Sequence, residues 1–196
     1  MILPIVAYGD PVLKRKAKDI PEDYPNLQEL IDNMFETMYN ANGVGLAAPQ
    51  IGKSIRLFIV DASPFAEDNL ITAEEKEDLK TAKEVFINPR IIDEQGDEWD
   101  FNEGCLSIPD IREDVFRKPT IKIEYYDRDF NFKEKTLEGL FARVVQHEFD
   151  HIEGVLFTDK LSGLKKRLIK SKLNNIAKGK IKVDYRMRFP KLKKSR

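Results

Sequence analysis

The chain has 196 residues, 41% of them apolar, and a net charge of −1, which suits one compact globular domain with a substantial core. A single cysteine excludes an internal disulfide and fits a reducing cytosol. There is neither an apolar run of about 20 residues that could cross a membrane nor a secretory signal at the N-terminus, so we expect a cytoplasmic protein without membrane contact.

An amphipathic pattern predicts the first helix, from Tyr24 to Asn40. Pro25 fits its first turn, and Asn42-Gly43 fits its end. Its apolar residues recur at i, i+3 and i+4 and therefore share one face of the helix. These residues are Leu27, Leu30, Ile31, Met34, Phe35 and Met38.

The next segment, Gly43-Val44-Gly45-Leu46-Ala47-Ala48-Pro49-Gln50, is small and apolar and ends in an uncharged amide. Its glycines let the backbone turn and approach a ligand closely. It is not a phosphate-binding loop, because it lacks both the Lys-Ser/Thr ending and the G-x-G-x-x-G spacing. A glycine that ends a helix would explain Gly43, but it leaves the glutamine after the proline unexplained.

The middle of the chain is predicted to be rich in strands. The predicted strands cover residues 55–60, 85–92, 121–126 and 132–137. Asn88-Pro89 should bend the second of these, and residues 127–131 should form the turn of a β-hairpin between the last two. The acidic residues 61–84 are typical of a surface insertion, with a short helix over residues 73–82. Helices kept apart from runs of strands favour an α+β fold with antiparallel sheets.

An H-E-x-x-H box follows in Gln146-His147-Glu148-Phe149-Asp150-His151, and it uses both histidines of the chain. Residues i and i+4 of a helix lie on one face, so His147 and His151 can hold one metal ion. Glu148 would then lie beside the ion and move protons. An apolar stripe supports a helix here, formed by Leu140, Val144, Val145 and Phe149.

Two imidazoles are too few for a catalytic metal site, which normally has three protein ligands and a water. After Glu153 the only acids are Asp159 and Asp184, which argues against an ordinary zinc peptidase. The remaining strong ligand is Cys105, in Glu103-Gly104-Cys105-Leu106-Ser107. A lone cysteine is usually a small buried hydrophobe, but an incomplete two-histidine site makes ligation the better interpretation. One thiolate and two imidazoles suit zinc, iron, nickel or cobalt.

The three segments together resemble the peptide deformylase family. That family carries the motifs G-φ-G-φ-A-A-P-Q, E-G-C-φ-S and Q-H-E-φ-D-H, with φ apolar, and all three occur here in this order. Residues 5–13 also resemble the start of the family, and the resemblance covers roughly residues 1–160. It implies an α+β fold with antiparallel sheets around a central metal-site helix. It also implies removal of the formyl group from N-formylmethionine at the start of nascent polypeptides, with release of formate.

The resemblance further implies roles for single residues. The metal ligands would be Cys105, His147 and His151, with Fe(II) as the native ion. Glu148 would be the catalytic acid and base, and Gln50 with the backbone N–H of Leu106 would hold the formyl oxygen. Backbone groups of Val44, Gly45 and Gly104 would pair with the substrate peptide, and Arg112 would lie near it.

Apolar candidates for the methionine pocket are Val44, Phe101, Leu140 and Val144, each of which also suits an ordinary core. Arg143 lies one residue aside from the face shared by Leu140 and Val144, so we expect it on the surface or paired with an acid. Glu103 and Asp150 are candidates to orient a metal ligand or an arginine.

The end of the chain is strongly basic. Residues 165–196 contain fourteen Lys and Arg against one acid, a charge of +13, so residues 1–164 carry −14. We expect residues 1–164 to form a single catalytic domain, and residues 165–196 to form a basic helix and tail in the same domain or as an extension. A further strand is expected over residues 181–185. The apolar residues that predict the helix are Leu161, Leu164, Leu168, Leu173 and Ile176.

Two alternatives to a deformylase stay open. An H-E-x-x-H endopeptidase would cleave internal amide bonds regardless of a formyl group. A ribosome- or RNA-binding module with a structural metal would explain the charge of the C-terminal segment. That segment is equally compatible with a solvated helix and tail that keep the protein soluble.

Overall fold

A computed structural model describes residues 1–67 and 71–190. A run of five consecutive strands in the middle of the chain is followed by two α-helices, and two further α-helices lie between the earlier strands. In chain order the elements are β1 (Ile5–Val6), α1 (Leu27–Asn40), β2 (Gly45–Ala47), β3 (Leu57–Asp61), α2 (Ala73–Lys80), β4 (Lys83–Gln95), β5 (Trp99–Cys105), β6 (Ile108–Arg117), β7 (Thr120–Tyr126), β8 (Phe132–Glu138), α3 (Gly139–Ile152), α4 (Gly163–Ala177) and β9 (Met187–Arg188).

The main sheet has five antiparallel strands in the order β2-β3-β4-β7-β8. Alternate side chains of a strand point to opposite faces, and β3 shows this clearly. Phe58 and Val60 join the core that contains Val145 of α3, whereas Leu57 and Ile59 join the core that contains α1. The sheet therefore lies between two helices, and the expected α+β architecture with antiparallel sheets is confirmed.

The predicted first helix begins three residues later than expected, at Leu27 rather than Tyr24. Asn26 before it has a left-handed φ of 54°, which breaks the helical path and leaves Pro25 outside. The end at Asn40 is as predicted, and Asn42 turns the chain with a φ of 54°. All six predicted apolar residues of this helix are buried.

The predicted strands are present with shifted ends. The strand expected over residues 85–92 extends further, as β4, and a shift in pairing between Ile87 and Arg90 produces the expected bend next to Asn88. The hairpin of β7 and β8 is confirmed. The insertion contains the short helix α2, and its residues 68–70 lie outside the described residues.

Strands β5 and β6 form a separate two-stranded ribbon that the sequence patterns did not indicate. Trp99 pairs with Arg117 at one end, and Gly104 pairs with Arg112 near the other. The ribbon ends at Cys105, where the pairing shifts, so it carries the cysteine motif toward α3.

The C-terminal part differs from its prediction in two respects. Leu164 and Leu168 are 63% and 71% exposed, and α4 instead buries Ile169, Leu173 and Ile176, which lie at i, i+4 and i+7 on its other face. The strand expected over residues 181–185 is absent from the described residues; β9 lies further on and pairs in parallel with β1. Residues 191–196 of the predicted tail lie outside the described residues. In the described ranges, no helix combines the length and apolarity needed to span a membrane.

Candidate active site

The three candidate metal ligands come together although two distant parts of the chain supply them. Cys105 ends β5, while His147 and His151 lie one turn apart on α3. One donor atom from each of the three lies within 4.8 Å of the other two. The Cys105 Sγ is 3.3 Å from Nε2 of His151. A thiolate and two imidazoles in this arrangement fit a divalent transition-metal ion.

Glu103 orients one of these ligands. Its Oε2 accepts a hydrogen bond of 2.9 Å from Nδ1 of His147. The same carboxylate accepts hydrogen bonds from Arg117 at 2.7 and 2.9 Å and from Arg143 at 3.1 Å. Burial raises the pKa of Glu103, but the hydrogen bonds from Arg117 and His147 outweigh burial and hold the pKa well below its usual range. Glu103 is therefore ionised and orients both a ligand and an arginine, the two options the sequence left open.

Arg143 is buried, so its expected place on the surface is wrong and its pairing with an acid is correct. The β5–β6 ribbon covers this side of α3 and surrounds the guanidinium. Arg143 donates to the backbone oxygens of Val115 at 2.9 Å and Trp99 at 2.6 Å, and it lies 4.3 Å over the Trp99 ring. Asp150 accepts a hydrogen bond of 2.6 Å from Arg117 and so steadies the same network.

Glu148 is buried beside the ligand cluster, and its Oε2 has no hydrogen-bond partner in the part of the chain that the structure describes. Burial raises the pKa of Glu148 to about 7, although the neighbouring His147 opposes the shift. A carboxyl group that titrates near neutral pH can both accept and donate a proton. An unpaired buried carboxylate beside metal ligands is typical of a catalytic group.

Gln50 faces the cysteine from the turn after β2. Its Oε1 accepts a hydrogen bond of 2.8 Å from the backbone N–H of Ala47, which fixes the orientation of the amide. The Nε2 group consequently points toward Cys105 Sγ, at 3.4 Å, and Ser107 Oγ, at 3.3 Å. The glutamine after Pro49, which the sequence patterns left unexplained, thus presents an uncharged donor to the ligand cluster.

A cleft of about 670 Å³ opens above this cluster. Most of the candidate site residues line it, namely Val44, Gly45, Gln50, Phe101, Gly104, Cys105, Leu106, Arg112, Val144, His147 and Glu148. His151 is buried and is not among the lining residues. Leu140 is also absent from the lining, because it packs in the core between α3 and the main sheet.

Arg112 lies on the side of the β5–β6 ribbon that faces the cleft. Its Nε donates a 3.0 Å hydrogen bond to Oδ1 of Asn102, and a β-carbon on Gly104 would stand 2.8 Å from its Nη1. The glycine therefore leaves room for the guanidinium at the edge of the cleft.

Phe65 and Tyr185 are among the lining residues that the sequence patterns did not indicate. Phe65 comes from the insertion and packs edge-to-face on Phe101, with ring centroids 6.2 Å apart. Tyr185 comes from the C-terminal segment, and its hydroxyl donates a 2.8 Å hydrogen bond to the carbonyl oxygen of Leu106. No local pattern could have indicated either residue, because each lies far along the chain from the cysteine and histidine motifs.

Comparison with known proteins gives a consistent result. The family model described as polypeptide deformylase matches residues 2–167. The peptide deformylases of Christiangramia forsetii and Flavobacterium johnsoniae are 65% and 62% identical to this chain, each over the full length of both proteins. The crystal structure of a peptide deformylase from Legionella pneumophila is 38% identical and has a TM-score of 0.76. It covers 92% of this chain and 98% of its own.

The matched region includes all three motifs and the whole ligand cluster, so neither an endopeptidase nor an RNA-binding module is needed to explain them. The chain belongs to the polypeptide deformylase family, metal-dependent hydrolases that remove the formyl group from the N-terminus of nascent polypeptides.

Proposed function

We propose that the chain hydrolyses the formamide of peptides that begin with N-formylmethionine, with one divalent ion held by Cys105, His147 and His151. Fe(II) is the proposed native ion, and zinc, nickel or cobalt also suit this donor set. The observation that carries the proposal is the grouping of these three donors within 4.8 Å, beside a cleft that Cys105, His147 and Glu148 line.

A divalent ion bound by these residues supplies Lewis-acid chemistry, polarising a carbonyl group and lowering the pKa of water. The hydrogen bond of His147 Nδ1 to the ionised Glu103 places the ring proton on Nδ1. This leaves Nε2 with its lone pair toward the cluster, which is the tautomer that a ligand needs.

Glu148 is the proposed acid and base. It takes a proton from the attacking water and later gives that proton to the leaving nitrogen of the substrate. Its raised pKa of about 7 supports both steps near neutral pH. Because the group is buried and close to the ligands, proton transfer needs little movement of the side chain.

Gln50 and the backbone N–H of Leu106 are the proposed donors to the formyl oxygen, on which negative charge builds as water adds. One preorganised donor of this kind can be worth about 3 kcal/mol in the transition state. The bond from Ala47 to Oε1 keeps the Gln50 amide from rotating, so its NH₂ group is held ready for the substrate.

The proposed substrate lies along strand β2. This strand is at one edge of the main sheet, and within the described ranges no strand pairs with its outer side. An extended peptide can add to such an edge, with Val44, Gly45 and Gly104 as backbone partners. Val44, Phe101 and Val144 provide apolar surface in the cleft for the methionine side chain, and Arg112 lies at its rim.

The proposal is tested by measuring formate release from formyl-Met-Ala-Ser with Fe(II), nickel, cobalt or zinc supplied without oxygen. We expect formate release, no cleavage of the internal amide bonds, and no reaction with Met-Ala-Ser. Cys105→Ala should lose both bound metal and formate release. A wild-type protein that releases no formate with any of the four ions would contradict the activity. A Cys105→Ala protein with full metal content would contradict the ligand set.

We also propose that the basic C-terminal segment belongs to the same domain and contacts the ribosome, which places the enzyme in the cytoplasm. Ile169, Leu173 and Ile176 of α4 pack into a core that includes Ile108, while Lys166, Lys170 and Lys172 of this helix are exposed. Ribosome pelleting tests the contact. The Lys170→Glu/Lys172→Glu protein should pellet less than wild type, and Lys122→Glu, on β7, should not. Equal pelleting of all three at low salt would contradict it.

A further inference from the structure

The turn that carries Cys105 and Leu106 is held from outside by both ends of the chain. The backbone N–H of Tyr8 donates a 2.9 Å hydrogen bond to the carbonyl oxygen of Ser107. The hydroxyl of Tyr185 donates a 2.8 Å hydrogen bond to the carbonyl oxygen of Leu106. Two consecutive carbonyl groups, directly after the cysteine, therefore have fixed partners.

The two holding segments are themselves joined, since β1 and β9 pair in parallel. The N–H of Ile5 donates to the carbonyl of Arg186, and that of Ala7 donates to the carbonyl of Arg188, both at 2.9 Å. Tyr185 comes immediately before this paired stretch, so its backbone is anchored next to the cleft. It also lies beyond residue 167, where the match to the family model ends.

The turn is fixed on its inner side as well. Nε2 of Gln50 reaches Cys105 Sγ and Ser107 Oγ, which flank Leu106 in the chain. The Tyr185 ring packs against the same apolar cluster as Leu106, so the phenol is held by packing in addition to its hydrogen bond. Burial raises the pKa of the Tyr185 phenol above its ordinary value, so the hydroxyl stays protonated at neutral pH and remains a donor.

We propose that Tyr185 is a positioning residue for the reaction, acting through Leu106. The inference rests on the proposed role of the Leu106 N–H as a donor to the formyl oxygen. The peptide planes before and after Leu106 share its α-carbon and are each rigid. Fixing the carbonyl of the second plane therefore limits the rotation of the first, which carries that N–H. A donor aimed before the reaction stabilises the developing charge without reorganisation.

The experiment compares wild type, Tyr185→Phe and Tyr126→Phe as metal-loaded enzymes with formyl-Met-Ala-Ser. Phenylalanine at 185 keeps the ring and removes only the hydroxyl. We expect kcat to fall about three- to tenfold, as for the loss of one neutral hydrogen bond. KM should stay within about twofold, because the donor acts on the transition state. Tyr126, half-exposed on β7 and outside the cleft, supplies the matched loss of a hydroxyl, and its variant should behave like wild type.

Amide hydrogen exchange of the peptide that spans residues 104–108 gives a readout that does not depend on turnover. We expect this peptide to exchange faster in Tyr185→Phe than in wild type or Tyr126→Phe, with the melting temperature and metal content unchanged. The proposal would be overturned if Tyr185→Phe had the kcat and the exchange rate of wild type. It would also be overturned if only KM changed, or if lost metal explained the fall in activity. Failure of wild type itself to release formate would instead overturn the proposed activity.

Discussion

Gly45 and Glu148 lie so close together that a β-carbon on Gly45 would stand 2.8 Å from Cδ and Cγ of Glu148, nearer than ordinary packing allows. The glycine belongs to edge strand β2, and the glutamate belongs to α3. The strand to which the substrate is proposed to add, and the residue proposed as acid and base, are thus in direct contact, with no side chain between them.

Gly45→Ala should therefore displace the Glu148 carboxyl. The φ of Gly45 is not in the left-handed region, so alanine fits its backbone and the fold should persist. Because a shift of about 1 Å in a catalytic group can cost about 100-fold, we expect a fall in kcat of that order. Gly163→Ala, where nothing lies within 4 Å of the added carbon, is the matched control. Wild-type turnover by Gly45→Ala in the formate assay would contradict this account.

Glu103→Gln should weaken metal binding and the fold together. The change leaves Arg143 buried without its anionic partner, leaves Arg117 with Asp150 alone, and weakens the acceptor for His147. Loss of a partner that orients a ligand typically costs about 10- to 100-fold in metal affinity, and breaking a buried ion pair costs about 3–5 kcal/mol. Chelator competition measures the first effect, and urea unfolding measures the second.

The matched control for this prediction is Glu113→Gln. Glu113 pairs with Glu103 in the register of the β5–β6 ribbon, but it forms a surface ion pair with Lys165 at 3.0 Å. Exposed pairs contribute little, so neither quantity should change. Equal effects of the two variants would show that the buried network has no special role.

Glu75→Ala should destabilise the fold, because the insertion caps α3, the helix of the H-E-x-x-H box. Glu138, before α3, provides no side-chain cap, whereas Oε1 of Glu75 accepts a 3.0 Å hydrogen bond from the N–H of Leu140. Loss of a cap costs about 1 kcal/mol, which for a chain of this size lowers Tm by about 2–4 °C. Thermal unfolding should show no such loss for Glu74→Ala, since Glu74 is exposed on the same helix α2. Equal Tm values for both variants would argue against the cap.

Asp61 should make the stability depend on pH. Burial raises the pKa of its carboxyl, but hydrogen bonds from Ser63 and Tyr39 outweigh burial and lower the pKa below the ordinary value of 3.8. A pKa that is lower in the folded state stabilises the fold above the unfolded pKa, and the contribution disappears as the pH falls through the folded value.

Asp61→Asn should accordingly be less stable than wild type by about 1–2 kcal/mol at pH 7, with a gap that narrows below about pH 4. Urea unfolding of both proteins between pH 7 and pH 3 measures this gap. A difference that stays constant over the whole range would mean that the charge of Asp61 does not stabilise the fold.

The helix of the H-E-x-x-H box, the buried face of α1 and the β7–β8 hairpin could all be predicted from the sequence. Each depends on spacings of a few residues, which repeat with the period of a helix or strand. The ends of elements do not follow from these spacings, because a single left-handed residue can set them, as Asn26 does for the start of α1 at Leu27. For α4 the choice of buried face was only partly correct, since Leu164 and Leu168 face outward while Ile169 packs inward.

The set of chemical groups follows from the order of residues alone: one thiol, two imidazoles on one helix face, an acid between them, and an amide donor after a glycine-rich turn. Only the packed fold shows that Glu103 accepts hydrogen bonds from two arginines and a histidine, and that Tyr185 donates one to Leu106, which lies 79 residues away in the chain. Local spacing fixes which side chains share one face of a helix or strand. Contacts between distant segments depend on how the ribbon, the sheet and the paired chain ends pack, and no short pattern encodes that packing.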